Sequence, residues 1–406
     1  MLGAETAEML PNDQVFYSFV RGAAKQYGKL MYGMASVWNH YAGKDCHTAS
    51  SCTESGSSLS LLRRLMVTEI LYGSSWFAFE CCMYITPPAN ATDHALVLTP
   101  LGHISRSGKA LVESLPVLGS PLTTIGVVLD FYTGFAPPRT AYADYTQGYA
   151  YWNAGDIWRA WGPLPADSGD FFTAAVLNIT YPGWADSEYF QDKRGFLCMT
   201  PFGDIVDVLL SEASDSVFGQ YHILVVATTI RTMKVEVRIK LEAYIRGGGT
   251  IVVTAEAIES MGGLFGVHAS GERAALTALR AGSTVHLVST LLPGLPETVT
   301  EPNEFESWSI DHRFATDGAT IDIAASVPGG SSQPIPLIYR LRVGSGTVWI
   351  LASNGVCRQS SVGPTLVSEM DEPLGNPRPV QLTCSLLWSY GSALLHHSLP
   401  DRAYPW

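Results

Sequence analysis

Over the first 121 residues, short apolar runs alternate with longer stretches of helical period, and this predicts the order β, α, β, α, β, α. A short strand ending at Gly3-Ala4-Glu5 precedes a helix over 13–27, where Val15, Phe16, Phe19, Val20 and Ala23 share one face and Gly28 stops the helix. The run 29–38 (KLMYGMASVW) reads as the second strand. A loop rich in Ser, Thr and Gly then leads to a helix over 60–71, ended by Tyr72-Gly73. The apolar run 75–82 (SWFAFECC) is the third strand, and a helix over 102–117 closes this part. Strands separated by single helices imply parallel pairing with right-handed crossovers. A closed eightfold barrel takes roughly 250 residues, so 1–121 predicts a partial (β/α) barrel that lacks its first half.

From 122 to 295 the pattern predicts a second α/β unit of flavodoxin-like type. Its elements are a strand over 123–131, an aromatic insertion over 132–202, a helix over 203–211, a strand over 221–227, a helix over 233–245 and a strand over 250–254. Gly247-Gly248-Gly249 stops the last helix and turns the chain. It precedes a strand, so it cannot cradle phosphate at a helix N-terminus. After residue 295, the short alternating runs 320–325, 338–343 and 346–352, separated by Gly and Pro turns, predict a small β-rich region, and a final helix is expected over 380–395.

Composition narrows the classes of function. With 15% charged and 47% hydrophobic residues in 406, the chain has material for a sizeable core, which excludes disorder and a coiled coil. The net charge of -12 would repel phosphate backbones and anionic headgroups, so nucleic acid is not an expected partner. No apolar run approaches the ~20 residues of a membrane span. The opening residues lack the basic start and apolar core of a signal peptide, so compartment is not encoded here and export would need an upstream segment. Seven cysteines without a CxxC make neither a zinc pattern nor a dense disulfide framework, and Cys46 and Cys52 either bridge one loop or stay free. His396-His397 lack a partner at ligand spacing, so neither a metal nor a cofactor is expected.

Glu80 is the sharpest chemical candidate. An acid at the end of Trp76-Phe77-Ala78-Phe79 is costly to bury unless it is partnered or sits at the strand's carboxyl end, where barrel sites lie. It reads either as a glycosidic carboxylate or as a structural acid. Glu5 follows another strand and could supply the second carboxylate that glycoside hydrolysis ordinarily needs. Asp130, ending the strand over 123–131, reads as a ligand residue at a sheet switch point or as a turn cap. The segment 131–190 holds 16 of the chain's 43 aromatics, Trp152 and Trp161 among them. Such rings stack on sugar faces, or else pack a long loop or an oligomer contact. The strand over 250–254 runs into Ala255-Glu256-Ala257, so no nucleophile stands where an amidotransferase would carry its cysteine.

Several strings, together with the order of elements, resemble the second half of a glycoside hydrolase of the family 42 β-galactosidase type. They are Phe19-Val20-Arg21-Gly22-Ala23-Ala24-Lys25-Gln26-Tyr27-Gly28-Lys29, Leu98-Thr99-Pro100-Leu101-Gly102, Gly126-Val127-Val128-Leu129-Asp130-Phe131, and 194–210 with Thr200-Pro201-Phe202-Gly203-Asp204 at its centre. The resemblance implies a partial barrel, a class I glutamine amidotransferase-like domain without amidotransfer, and a small β domain. It implies a carbohydrate lineage: an enzyme acting on β-linked glycosides or a truncated, inactive derivative of one. Glu5, Trp38 and Glu80 would line what remains of the barrel site, with Trp76 beside them. The family's general acid belongs to the half that is absent here, and the strand over 31–38 carries Ala35 and Ser36 where a nucleophile is expected. A non-catalytic carbohydrate-binding or homo-oligomer-assembly protein is the alternative.

Overall fold

The computed structural model describes residues 1–7, 13–36, 59–79, 85–86, 97–98, 100–115, 117–130, 172–173, 176–177, 179–181, 203–227, 234–269, 273–277, 284–286, 288–289, 298–300, 307–311, 314–316, 320–327 and 335–352. They group into two compact units. The first comprises Met1–Thr123, Pro138–Gly162 and Ser187–Val208, and the second Thr124–Pro137, Pro163–Asp186 and Leu209–Trp406.

In the first unit, β1 (Leu2–Ala7), β2 (Met31–Ser36) and β3 (Trp76–Phe79) form a parallel sheet in the order β1-β2-β3. Helix α1 (Asp13–Tyr27) connects β1 to β2, α2 (Leu59–Leu71) precedes β3, and α3 (Pro100–Ser114) follows it. The strand-helix alternation of the first 121 residues is therefore present. Gly28 adopts a φ of 59° after α1, and the Lys29 amide donates to the Ala24 carbonyl at 2.8 Å, so a residue without a Cβ ends the helix. The core consists of Tyr17 and Ala24 of α1, Met31 and Ala35 of β2, Leu62, Leu65, Met66 and Ile70 of α2, Phe79, and Leu101 of α3. The third helix ends at Ser114, three residues short of the expected boundary. A hairpin of β4 (Ile85–Thr86) and β5 (Val97–Leu98) completes the elements described here.

The buried face of α1 differs from the expected one. Val15 is buried, but Phe16, Phe19, Val20 and Ala23 are only half-buried, while Gln14, Tyr17, Ser18, Arg21 and Ala24 are fully inside. The helix turns a polar stripe inward because acidic partners meet it there, a tertiary cause that hydrophobic periodicity cannot register.

The second unit is built on a sheet in the order β13-β17-β18-β19-β9-β8-β6-β7. β6 (Ile125–Leu129), β8 (Ile223–Val226), β9 (Thr250–Thr254) and β19 (Gly346–Leu351) form a parallel run in the order β6-β8-β9-β19. β17 (Ile321–Val327), β18 (Ile335–Val343) and β13 (Val288–Ser289) extend it antiparallel. Counted from β6, the run β7-β6-β8-β9-β19 follows the 2-1-3-4-5 order of flavodoxin-like sheets. All of β6 and β8 is buried, as expected for continuous apolar strands covered on both faces. Helices α4 (Asp215–Phe218), α5 (Val235–Arg246) and α6 (Ala255–Ser260) lie between the later strands. Three two-stranded pairings, β10 (Val267–Ala269) with β16 (Phe314–Thr316), β11 (Arg273–Thr277) with β15 (Ser307–Asp311), and β12 (Thr284–His286) with β14 (Thr298–Thr300), are antiparallel.

One expectation is corrected. The segment 203–211 is not a helix: it contains strand β7 (Val206–Leu210). A five-residue run carries no period that separates a buried strand from a helix turn, and here four of the five residues are buried. The runs 320–325, 338–343 and 346–352 are strands, as expected, and they continue the main sheet. The tight turn after β18 returns β19 alongside β9, with Thr347 opposite Thr250 and Leu351 opposite Thr254. The helix expected over 380–395 lies outside the described residues.

Candidate functional site

The parallel register of the first unit brings three strand ends level. Ala7 pairs with Ser36, and Ala35 pairs with Phe79. Glu5 stands opposite Met34, which in turn stands opposite Ala78. The two faces of this sheet differ. Phe77 and Phe79 pack against the helix-side core, their rings edge to face at 5.0 Å. Trp76 lies across from Tyr32 with ring centroids 5.6 Å apart, and half of it is exposed. Trp76 therefore belongs to the face that does not meet the helices, but it opens β3. Phe79 is three residues further on, about 10 Å along the strand, so Trp76 sits near the amino end of the sheet.

Glu80, Trp38, Trp152 and Trp161 lie outside the described residues, as do the cysteines and His396-His397. Asp130 directly follows β6 and is buried at 6% exposure. In the strand order it marks the carboxyl-end switch point between β6 and β8, the location expected of a ligand residue in an open α/β sheet. β9 passes straight into α6, and the Thr254 hydroxyl accepts the Ala257 amide at 3.1 Å as an N-cap. The elbow is thus a capped helix start carrying alanine. Among the described residues, no group of three metal-ligating side chains is present, and no helix is long and apolar enough to cross a membrane.

A buried polar network that went unnoticed in the sequence joins residues that all fall within the first unit, which runs to Val208 and so includes the first three residues of β7. Asp207, fully buried on β7, accepts Arg21 Nε on Oδ1 at 2.9 Å and Lys25 Nζ on Oδ2 at 2.6 Å. Arg21 Nη2 also donates to the Val206 carbonyl at 2.7 Å, and its guanidinium lies 4.5 Å from the Tyr72 ring centroid. Lys25 further contacts the Thr123 hydroxyl. The Tyr72 hydroxyl and Gln14 Nε2 converge on Asp204 at 2.6 and 3.3 Å. The helical pattern held the clue, since Arg21 lies four residues after Tyr17 and three before Ala24, on the stripe that is inside.

Glu69 of α2 is the other missed acid. It follows Leu62, Leu65 and Met66 on the apolar stripe and has no exposed surface. Its carboxyl lies against Gly33 of β2, where any Cβ would collide with it, so glycine is what allows an acid between helix and strand. Burial pushes its pKa from 4.5 up to about 8, against the opposing pull of the Tyr17 and Ser74 hydroxyls and the Arg21 charge. The Ser74 hydroxyl donates to Oε2 at 3.1 Å. Being enclosed on the helix side of the sheet, Glu69 cannot meet a ligand, and its effect is on stability.

Folded Glu69 keeps a proton that the unfolded chain releases above pH 4.5. Its contribution is therefore most favourable below that value, declines by about 1.4 kcal/mol per pH unit up to the folded pKa, and then levels off. Glu69→Gln removes this dependence. Urea unfolding should show the variant gaining stability relative to the parent between pH 5 and pH 8, and parallel pH profiles would refute the assignment.

No family model matches the chain, and no curated protein matches it. Solved structures similar to it include the β-galactosidase from Rahnella sp. R3, with 11% identity over 86% of this chain and 47% of that one, at a TM-score of 0.45. The β-galactosidase from Bacillus circulans sp. alkalophilus is 11% identical over 84% of this chain and 53% of that one, at a TM-score of 0.41. An exo-β-1,4-mannosidase from Opitutaceae bacterium strain TAV5 is 12% identical over 87% of this chain and 55% of that one, also at 0.41. The chain spans about half the length of these structures.

Proposed function

We propose that the chain is a glycoside hydrolase-like protein acting on β-linked glycosides, with its sugar site at the carboxyl ends of β1, β2 and β3. One observation carries the reading: Trp76 meets Tyr32 on one face of the sheet while Phe77 and Phe79 meet the helices on the other. In the sequence Glu80 follows Phe79 and shares the two-residue alternation of Trp76 and Ala78, which is why the proposal takes it as the carboxylate for that face. Glu5 stands level with Ala78 across β2. Glycoside hydrolysis ordinarily uses two carboxylates, and the proposal assigns these roles to Glu5 and Glu80. Trp38, two residues after β2 in the sequence, is the aromatic residue assigned to the same site.

The amidotransferase-like and flavodoxin-like reading of the second unit rests on its strand order and on the capped β9–α6 elbow. Asp130 would mark a second ligand point there. A non-catalytic carbohydrate-binding or oligomer-assembly role is favoured by the aromatic density of 131–190. Against a sugar platform, Phe172, Leu177 and Tyr181 of that stretch are buried.

Binding of a transition-state mimic tests the site. Glycosidic transition states carry positive charge at the sugar ring, so a paired-carboxylate site holds a cationic, galactose-configured iminosugar more tightly than neutral galactose. Calorimetry should show a preference of at least roughly tenfold, lost when Glu5→Gln and Glu80→Gln are combined. Equal affinity for the two ligands in the parent protein would remove the reading.

A further inference from the structure

The geometry points to a separate binding site in the second unit, for a small sugar acid of hexuronate type, in the cleft between the end of α5 and strands β17 and β18. The cleft has a volume of about 530 Å³ and is lined by Arg246, Phe265, Thr320, Asp322, Leu341 and Arg342. That volume falls within the range of small-ligand sites, roughly 300–1,000 Å³.

Three features build the case. Arg246 and Arg342 both line the cleft, and neither guanidinium donates a hydrogen bond to a protein acceptor among the described residues. An exposed arginine by itself says nothing, but two in one cleft of a chain with a net charge of -12 create a local site for a carboxylate. The second feature is the backbone at Phe265, whose φ of 51° is a left-handed conformation that a bulky residue rarely adopts. The strain is held by a two-residue turn in which Leu264 and Val267 exchange both backbone hydrogen bonds at 2.9 Å, with Gly266 at a φ of 73°. Glu242 Oε1 accepts the Phe265 amide at 3.3 Å. The result is a ring set in the cleft with the Arg246 guanidinium 5.1 Å from its centroid. Strain that the surroundings overdetermine is an observation from which function is argued.

The third feature selects the ligand. Asp322 is paired with Arg340, and both hydrogen bonds, at 2.6 and 3.2 Å, end on Oδ2. Oδ1 is left to accept a ligand hydroxyl among the described residues. A dianionic phosphate would be repelled by this carboxylate and would make no use of Phe265. A monoanionic sugar uses the accessible groups: its carboxylate meets the arginines, its hydroxyls meet Asp322 and Thr320, and its C-H face meets the Phe265 ring. This site is independent of the one proposed on β1 to β3.

Isothermal titration of the full chain at low salt, with sodium glucuronate, glucose and inorganic phosphate in turn, tests the inference. Glucuronate should bind with a Kd of about 1 mM, as its size allows, while glucose gives no saturable heat and phosphate binds more weakly. Arg246→Ala and Arg342→Ala alter exposed side chains, so circular dichroism should show an unchanged fold, and each should weaken glucuronate binding about tenfold. Absence of saturable glucuronate binding, affinity that survives both substitutions, or tighter binding of phosphate would each overturn it.

Discussion

Asp207→Ala should lower folding stability by about 3–5 kcal/mol, the cost of leaving one partner of a buried ion pair uncompensated. The Asp207 side chain is 0% exposed and that of Arg21 2%, so neither end of the pair has water to fall back on. Arg21 cannot escape by losing its proton, because guanidinium stays charged under any condition a folded protein meets. Lys25, at 28% exposure, can swing toward solvent, and the loss of its 2.6 Å contact should contribute little. Replacing both buried partners by apolar residues of similar size, Arg21→Met with Asp207→Leu, should cost less than Asp207→Ala alone, since no buried charge is then stranded. Urea unfolding followed by circular dichroism reads the shift in midpoint at constant slope. A loss below about 1 kcal/mol for Asp207→Ala would show that water reaches the guanidinium and that the network is not dry.

The pattern of strands and helices in the first unit was legible in the sequence, because each helix is long enough to show its period and each strand is a short apolar run. Gly28 and Tyr72-Gly73 marked helix ends for the reason the structure shows, since Gly28 and Gly73 adopt positive φ. The segment 203–211 was not legible. Val206-Asp207-Val208-Leu209-Leu210 is too short to reveal a period, and the acid within it gives no hint that a buried arginine awaits it. The inward stripe of α1 was missed for the same reason: Arg21 and Gln14 are polar by type and buried only through partners some 190 positions away in sequence. Strand order was hidden as well, because the alternation of 346–352 looks the same whether its neighbour is antiparallel β18 or parallel β9. Of the candidate site, the sequence supplied residue types and strand ends. The face on which Trp76 lies, and the level ends of β1, β2 and β3, required the register.

The second large effect belongs to Glu80. If the carboxyl end of β3 presents the carboxylate that attacks or protonates the glycosidic bond, its amide counterpart keeps the shape and loses the chemistry. Positioned acid and base groups contribute roughly 100- to 10,000-fold, and a nucleophile that forms the glycosyl intermediate has no substitute. Glu80→Gln should therefore lower turnover of an aryl β-glycoside by at least about 100-fold. It should leave thermal unfolding unchanged, because the substitution is made beyond Phe79, which packs into the core, and the buried network of Arg21, Asp207 and Glu69 is untouched. This separates it from Asp207→Ala, which acts on stability first. The most direct measurement is the release of nitrophenol from 4-nitrophenyl β-galactoside by the parent protein and by Glu80→Gln, at equal concentrations of folded protein. Turnover in the parent that disappears in the variant is the predicted result, whereas no turnover in the parent, or equal turnover in both, would contradict a hydrolytic site at the ends of β1 to β3.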